Sequence, residues 1–364
     1  MGHQSGPVKT SKNLKILVAL SGGVDSSIAA ALLLEAGHRV YGLHFILPSP
    51  EDITQKRVSR ARNVAQHLKI PLEMVDLRAV FEKELIAPFV DAYLKGLTPN
   101  PCVRCNPLIK FEQMYRHAVN QQFDFMATGH YVRIQRTGKK SEAVTLWRGK
   151  DRHKDQSYFL HRLSRRQLSK TIFPLGHMTK DETRALAGEL AIPSHGDPES
   201  QEICFIPEMD YRHFIESRRK NPEVEKGPIV NLRGETVGRH EGIHRYTIGQ
   251  RHGLGIASSR PYYVKALEPN GNRVIVGRRE DLFSERVSVE DFHWIDPFEP
   301  ADHSSLSAQV RYRHKAAAGR LEVIDPARVR FVFDQPQMAM TPGQALVCYR
   351  GDRVLGGGWI VQDV

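Results

Sequence analysis

The stretch Ser-Gly-Gly-Val-Asp-Ser-Ser at residues 21–27 limits the possible folds of this chain more than any other feature of the sequence. A short apolar run at residues 14–20 precedes it, and residues 28–36 follow with the alanines, leucines and glutamate typical of a helix. A second apolar run at residues 40–46 completes a strand–loop–helix–strand unit. Such a unit implies a right-handed crossover and a parallel sheet, so the sequence predicts an α/β domain built around a glycine-rich turn.

This turn has the residues of a phosphate site. Gly22 and Gly23 allow the backbone to approach an anion closely, and Ser26 and Ser27 place hydroxyls and amides at the first helical turn, where the helix dipole favours phosphate. The common GxxxxGK[ST] pattern is absent, so the turn supplies no lysine to the phosphates. We therefore predict a nucleotide-binding loop of a less common kind. The simpler alternative is a tight turn with a serine N-cap.

Beyond this unit the pattern divides the chain into segments. Residues 1–13 are polar and predict a disordered tail, whereas residues 14–220 predict an α/β domain with a parallel sheet. Short glycine-punctuated β-branched runs then predict a small β-rich central domain at residues 221–284 and a C-terminal β-barrel at residues 285–364. Within the α/β domain we expect strands at 72–75 and 125–128, helices at 57–68, 81–94 and 111–121, helices without an intervening strand between 167 and 192, and a last helix at 208–220.

Composition limits the partners and the compartment. The chain has 52 lysines and arginines against 41 acidic residues, a formal net charge of +11, which fits a polyanionic partner such as nucleic acid. The N-terminal stretch has no apolar core of a signal peptide, and no run approaches the roughly 20 apolar residues of a membrane span. Four cysteines are too few for a disulfide scaffold in a chain of 364 residues. We expect a cytoplasmic protein without a membrane segment.

The second informative stretch is Thr-Pro-Asn-Pro-Cys-Val-Arg-Cys-Asn at residues 98–106. Its two prolines predict a stiff loop that exposes Cys102 and Cys105. Arg104, and a helix N-terminus near Lys110, would favour the thiolate form. A lone CxxC is ambiguous among a redox pair, a metal clip and a cluster ligand. Cys204 lies in a separate segment, and Cys348 sits in an apolar strand as expected for a core residue.

Seven motifs together resemble one family. They are the loop at 21–27, Asn-Pro-Cys-x-x-Cys-Asn at 100–106, Ala-Thr-Gly-His-Tyr at 127–131, Lys-Asp-Gln-Ser-Tyr-Phe-Leu at 154–160, Ile-Cys-Phe-Ile at 203–206, the glycine-rich stretch 249–255, and Thr-Pro-Gly-Gln at 341–344. In this order they resemble the bacterial tRNA-specific 2-thiouridylases (MnmA family) of the PP-loop ATP pyrophosphatase superfamily. The resemblance implies a PP-loop domain, a small central domain and a C-terminal β-barrel that clasp a tRNA anticodon arm. It also implies ATP-driven replacement of the C2 oxygen of the wobble uridine, position 34, with sulfur, yielding AMP and pyrophosphate.

The resemblance also implies site residues and cofactors. ATP would be held by Ala19, Leu20, Ser21, Gly22, Gly23, Val24, Asp25, Ser26, Phe45 and Gly129. We further expect Mg²⁺ at the loop, because an acidic Asp25 beside phosphate needs a bridging cation. The tRNA would contact Asn100, Pro101, Cys102, His130, Lys154, Asp155, Gln156, Arg311, Tyr312 and Gln344. The basic and aromatic residues of the 311–315 stretch fit phosphate contact and base stacking from an exposed strand.

The expected sulfur chemistry needs two thiols from distant segments, one carrying a persulfide and the other releasing the sulfur by forming a disulfide. The resemblance assigns the persulfide to Cys204 and the partner nucleophile to Cys105. Many family members have aspartate, with a general-base role, where this chain has Cys102. We count Cys102 as a third catalytic residue, since a thiolate can also accept a proton. The third thiol leaves an alternative open, in which Cys102, Cys105 and Cys204 hold a [4Fe–4S] cluster whose free iron binds hydrosulfide. The implied partners are tRNA and a sulfur donor, which is either a cysteine desulfurase or a sulfur relay protein. We expect the protein itself to be a monomer.

Two other classes of protein remain as alternatives. Another PP-loop synthetase that adenylates a substrate would need no pair of thiols, so Cys105 and Cys204 argue against that class. A basic RNA-binding module with a decayed nucleotide site is argued against by the intact loop at residues 21–27.

Overall fold

The computed structural model describes residues 13–137, 143–196, 203–206, 210–218, 225–295 and 306–362. The predicted tail therefore lies, apart from Asn13, outside the described residues. The chain forms two compact units, described separately below. The first unit comprises Met1–Phe81, Asn106–Ser157 and Leu163–Gln201, and the second comprises Glu82–Cys105, Tyr158–Arg162 and Glu202–Val364.

A parallel sheet forms the centre of the first unit. The strands of this unit are β1 (Lys15–Ala19), β2 (Arg39–Ile46), β3 (Leu72–Asp76), β4 (Phe125–Ala127), β5 (Val132–Thr137), β6 (Ala143–Arg148) and β7 (Thr171–Ile172). Five of them pair in parallel in the order β3-β2-β1-β4-β7, while β5 and β6 form an antiparallel hairpin. The central strand β1 is a continuous apolar run because both of its faces are covered, and Ile16 and Val18 have no exposed surface.

Some of the helices cover the parallel sheet of the first unit, and others belong to the second unit. The α-helices are α1 (Val24–Glu35), α2 (Glu51–His67), α3 (Arg78–Phe81), α4 (Ala87–Leu94), α5 (Pro101–Cys105), α6 (Phe111–Asn120), α7 (Ser157–Leu160), α8 (Arg165–Ser169), α9 (Lys180–Glu189) and α10 (Tyr211–Glu216). Two π-helical segments occupy Glu82–Ile86 and Asn106–Lys110, and single 3₁₀ turns occupy Pro174–His177, Ile243–Arg245 and Arg279–Leu282. Among the described helices, none combines the length and the apolar character that a membrane span requires.

One strand was missed in the sequence. The region 167–192 was predicted to contain helices only, but β7 lies within it and pairs with β4 through Met126 and Ala127. A strand of two residues is too short to show the alternation from which strands are predicted. The predicted helix at 208–220 is observed as the shorter α10, and several of its flanking residues lie outside the described part of the chain.

The predicted proline-stiffened loop around the CxxC motif is instead a helix, α5. The backbone N–H of Val103 donates to Asn100 Oδ1 at 3.4 Å, and Pro101 occupies the first helical position. An asparagine cap followed by proline is a helix start, because the ring sets the helical φ and the missing N–H would have had no intrahelical acceptor anyway. The chain stays helical through Asn106–Lys110 into α6, so the helix N-terminus expected near Lys110 is also wrong.

The second unit contains two β structures. Its strands are β8 (Gly227–Asn231), β9 (Thr236–His240), β10 (Tyr263–Glu268), β11 (Arg273–Gly277), β12 (Phe283–Trp294), β13 (Leu306–Gln309), β14 (Ala317–Val323), β15 (Val329–Met338), β16 (Ala345–Arg350) and β17 (Arg353–Ile360). A four-stranded sheet has the order β10-β11-β8-β9. The later strands pair in the order β12-β15-β14-β13-β16-β17, and β17 pairs again with β12, which closes a barrel.

The barrel encloses an apolar core that includes Phe331, Leu346 and Cys348, each with no exposed surface. Burial raises the pKa of the Cys348 thiol, so this cysteine stays protonated, as expected for a core residue. The predicted fold class is confirmed: a parallel α/β sheet, a small β-rich part and a C-terminal β-barrel.

Candidate functional site

The glycine-rich loop lies between β1 and α1, at the carboxyl end of the central strand, where ligands bind in open α/β sheets. Gly22 has a φ of +83°, and a Cβ there would lie 2.7 Å from the backbone nitrogen of Ala61 and 2.8 Å from the Cβ of Arg60. Both of those residues belong to α2. The helix α2 therefore packs directly on the loop backbone, and only glycine fits at this contact.

Gly129 brings the end of β4 to the same loop. A Cβ on Gly129 would lie 2.6 Å from the carbonyl carbon of Asp25 and 2.8 Å from the amide nitrogen of Ser26. The sequence predicted that these two segments share one rim of the sheet, and in the structure their backbones are in contact.

Three serines brace the loop. Ser21 Oγ lies 3.1 Å from Ser26 Oγ, and the hydroxyls of Ser26 and Ser27 each donate to the carbonyl of Gly23 at 2.9 Å. The N-cap of α1 is Gly23, with no side-chain cap, so the alternative of a serine-capped turn does not describe this loop. The first-turn amides of α1 have no acceptors within the helix and are suited to an anion.

The negative charge of Asp25 is balanced by a lysine that could not be identified from the sequence. Lys180 Nζ donates to Asp25 Oδ1 at 2.6 Å, and Tyr131 Oη donates to the same oxygen at 2.8 Å. The Lys180 side chain is 7% exposed and that of Asp25 is 37% exposed. The expectation that Asp25 needs Mg²⁺ for charge balance overlooked this ammonium group.

The capping box at the start of α9 is the only local signal for Lys180. Thr179 caps this helix together with Glu182, which fixes Lys180 as its first residue. The helix then packs against α1 in an apolar cluster that includes Ile28 and Ala187. Lys180 and Asp25 are 155 positions apart in the chain, so only the folded structure relates them.

The Lys154-Asp155-Gln156 stretch was predicted to contact tRNA, but two of its side chains bond to the protein. The side-chain oxygen Oε1 of Gln156 accepts from the backbone N–H of Tyr131 at 3.0 Å and so positions the tyrosine that contacts Asp25. Asp155 accepts from the backbone of Gly149 and from the hydroxyl of Ser157, and its burial raises its pKa. Lys154 is half-buried.

His130 is packed beside the aromatic ring of Phe111, with 5.7 Å between the ring centroids. Its Nδ1 lies 2.8 Å from Thr128 Oγ1. Burial, with a smaller contribution from the nearby Lys110 charge, lowers the pKa of His130 to about 3, so the ring is neutral at pH 7.

The remaining predicted nucleotide residues lie along β1, β2 and the loop. The carbonyl of Leu20, directly after β1, lies 2.8 Å from His44 Nδ1, and burial lowers the pKa of that imidazole. Phe45 is half-buried near the end of β2. Ala19 ends β1, and Val24 begins α1.

In the second unit, the predicted catalytic cysteines Cys102, Cys105 and Cys204 lie in two segments that contact one helical stretch, Glu82–Leu94. On the first of these segments, Arg104 Nε donates to the Glu84 carbonyl at 2.9 Å, which holds α5. Cys105 at the end of α5 is 4% exposed, whereas Cys102 is exposed. The prediction that both thiols are exposed is therefore wrong for Cys105, which lies where α5 continues into a helical segment that is buried at Asn106 and Ile109.

Cys204 occupies a short turn closed by the Ile206 N–H, which donates to the Ile203 carbonyl at 2.8 Å. The next residue, Phe205, packs edge-on against Phe89 of α4 with 5.3 Å between ring centroids. This buried ring anchors the turn while Cys204 itself stays half-buried.

Across the part of the chain that the structure describes, no three side chains of histidine, cysteine, aspartate or glutamate converge as ligands for a metal ion. Cys102, Cys105 and Cys204 are all described, so these three thiols do not fit a cluster in the arrangement seen.

The barrel holds the segment that leads to α5. Gln344 was predicted to contact tRNA, but its side-chain amide donates to the Thr98 carbonyl at 2.7 Å. The Thr98 N–H donates in turn to the Pro342 carbonyl at 3.0 Å.

The predicted basic strand at residues 311–315 is instead the turn between β13 and β14. It still exposes Arg311, Arg313 and Lys315. Tyr312, expected to stack on a base, lies against Phe159 with 4.2 Å between ring centroids, so one face of its ring is already in contact with protein.

Gly22 and Gly37 provide a matched test of the loop. Both have a φ near +82°, but a Cβ on Gly22 meets α2, whereas one on Gly37 has no atom within 4 Å. We expect Gly22→Ala to abolish ATP binding measured by equilibrium dialysis. Gly37→Ala should keep it and lose only about 1 kcal/mol of stability, from the left-handed backbone. Equal ATP binding by the two variants would contradict a role for the Gly22 contact.

Comparisons with known proteins cover nearly the whole chain. Residues 14–208 match the family described as "tRNA methyl transferase HUP domain", residues 212–278 "tRNA methyl transferase PRC-barrel domain", and residues 284–360 "Aminomethyltransferase beta-barrel domain". The chain is 43% identical to "tRNA-specific 2-thiouridylase MnmA" of Carboxydothermus hydrogenoformans, over 95% of this chain and 97% of the relative. It is 45% identical to the protein of the same name in Syntrophotalea carbinolica, over 96% and 99%. The chain therefore belongs to the MnmA family of tRNA-specific 2-thiouridylases.

Proposed function

We propose that this chain replaces the C2 oxygen of uridine 34 in tRNA with sulfur, at the expense of ATP. The observation that carries the proposal is the intact PP loop with a charge-balanced Asp25, in a chain that also has the cysteine pair of its family. An adenylating synthetase without sulfur chemistry would use the loop but not the cysteines.

In the adenylation step the C2 oxygen of the uridine attacks the α-phosphorus of ATP, and pyrophosphate leaves from the loop. The first-turn amides of α1 bind the phosphates, and the loop serines, whose hydroxyls bond within the loop, hold these amides in place. Asp25 is suited to hold Mg²⁺, which takes one or two carboxylates together with phosphate oxygens. When bound, this cation would neutralise the charge that develops on the departing pyrophosphate.

In the sulfur-transfer step a persulfide on Cys204 attacks C2, and AMP departs with the former uridine oxygen. The Cys105 thiolate then attacks the Cys204 sulfur and breaks the bond to the transferred sulfur, whose electron pair forms the new C2=S bond. The products are 2-thiouridine and a Cys105–Cys204 disulfide, which an external thiol reductant reopens. A cysteine desulfurase or a sulfur relay protein recharges Cys204. We derive no step through an iron–sulfur cluster, because the three thiols do not converge.

The tRNA is bound by cationic surface. The chain carries a net charge of +11, and the turn between β13 and β14 exposes Arg311, Arg313 and Lys315. Two other barrel arginines, Arg320 and Arg328, instead form ion pairs with Glu322 and Asp325. Exposed cations attract the phosphate backbone and release its counterions on binding.

Asp25→Asn tests the adenylation step. The amide keeps the shape of the side chain but loses the charge that would hold Mg²⁺, so we expect AMP formation in the presence of tRNA to fall by about a hundredfold or more. Binding of tRNA in a filter assay should stay close to that of the unaltered protein. Normal AMP production by this variant would remove the adenylation site from the loop.

Arg311→Ala combined with Arg313→Ala tests the barrel turn. We expect weaker tRNA binding and a log–log salt slope reduced by about one unit for each lost phosphate contact. The control is Arg320→Ala with Arg328→Ala, which removes the same charge from barrel arginines that are paired with Glu322 and Asp325. Equal slopes for the two double variants would mean that the turn does not face the tRNA.

Cysteine variants test the sulfur chemistry, with 2-thiouridine measured by nucleoside mass spectrometry. In a persulfide relay, Cys204→Ala and Cys105→Ser lose thiolation. Cys102→Ser keeps measurable activity, and Cys102→Asp, which restores the commoner family residue, keeps more. Cys348→Ala is the matched control, because this thiol is buried in the barrel.

The relay and the cluster differ in their need for iron. Iron-free enzyme prepared in air and an anaerobically reconstituted sample should have the same activity if the relay operates. Thiolation confined to the reconstituted sample, together with its loss in Cys102→Ser, would contradict the relay in favour of the cluster.

A further inference from the structure

We propose that Lys180 neutralises Asp25 so that the ATP triphosphate can enter the loop, an inference that rests on the proposed use of this loop for ATP. Lys180 thus acts as a positioning and charge-balancing residue of the nucleotide site. Lys180 lies outside the loop motif at residues 21–27.

The geometry holds the carboxylate in place. Asp25 Oδ1 accepts from both Lys180 Nζ and Tyr131 Oη, at 2.6 Å and 2.8 Å. Tyr131 is 2% exposed and its backbone is bonded to Gln156 on both its N–H and its C=O. The backbone of Gly129 lies directly behind Asp25. The carboxylate is therefore kept at the first turn of α1 and cannot swing away from an incoming phosphate.

A fixed negative charge at that position would repel a triphosphate. Two like charges a few ångströms apart in a partly buried site repel strongly, and the helix dipole offsets only part of this repulsion. Lys180, at 7% exposure, is screened little by water, so its ammonium offsets the carboxylate effectively. In the common P-loop the lysine pairs with phosphate itself, whereas here the lysine pairs with an acid of the loop.

A double-variant cycle separates this role from direct phosphate binding. If Lys180 acts by neutralising Asp25, then Lys180→Met weakens nucleotide binding and adding Asp25→Asn restores it, because the charge to be balanced is gone. If Lys180 instead leaves Asp25 and contacts the phosphates, the double variant stays as weak as Lys180→Met.

The measurement is equilibrium binding of α,β-methylene-ATP in EDTA, so that neither turnover nor a bridging metal ion contributes. We expect Lys180→Met to bind about tenfold more weakly, the double variant to return to within about twofold of the unaltered protein, and Asp25→Asn alone to bind at least as tightly as the unaltered protein. Lys180→Arg should keep most of the affinity. Lys150→Met is the matched control, since it removes an exposed ammonium that pairs with Glu182 of the same helix.

Three results would overturn the inference: unchanged binding by Lys180→Met, a double variant that stays weak, or weakened binding by Asp25→Asn alone. The last of these applies even if Lys180→Met does not fold, which tRNA binding and circular dichroism would reveal. Absence of nucleotide binding by the unaltered protein in the presence of Mg²⁺ would instead contradict the proposed function itself.

Discussion

Close backbone contact at the start of α1 is the constraint on which the rest of the first unit depends. Gly22 lets α2 rest on the loop, and Gly129 lets the end of β4 reach Asp25. These contacts fix the loop from two sides, so its amides and its one carboxylate are held by packing rather than by a ligand. A side chain at either glycine would force apart elements that belong to the core of the sheet.

Structure formed by residues that are close in sequence could be predicted well. The strand, loop and helix around Ser21 and Asp25 follow from local pattern, as does the change to short β-strands beyond residue 221. Lys180 could not be found in this way, because its role depends on the packing of α9 against α1 across 155 positions. Gln156 and Gln344 stand in motifs of the family, yet which partner each amide takes depends on three-dimensional contacts that no spacing encodes.

The cysteine segment shows how one local rule can be applied in the wrong direction. Pro101 was treated as a helix breaker, although proline breaks helices only after the first turn. With Asn100 as the cap, the same proline starts α5, in which Cys102 near the start is exposed and Cys105 at the end, where the chain continues as a helix, is buried. The difference between the two thiols therefore follows from their places along this helix, and the sequence contained the start signal for the helix.

The two hydrogen bonds at Thr98 give the barrel a structural role in the segment that leads to α5. The backbone N–H and C=O of Thr98 are both satisfied by the turn that contains Pro342 and Gln344, the latter 246 positions away in the chain. A chain without the barrel would leave an N–H and a C=O unsatisfied just ahead of the cap of α5. The C-terminal barrel thus supports the thiol-bearing segment, in addition to being the proposed surface for RNA, and it cannot be treated as a detachable module.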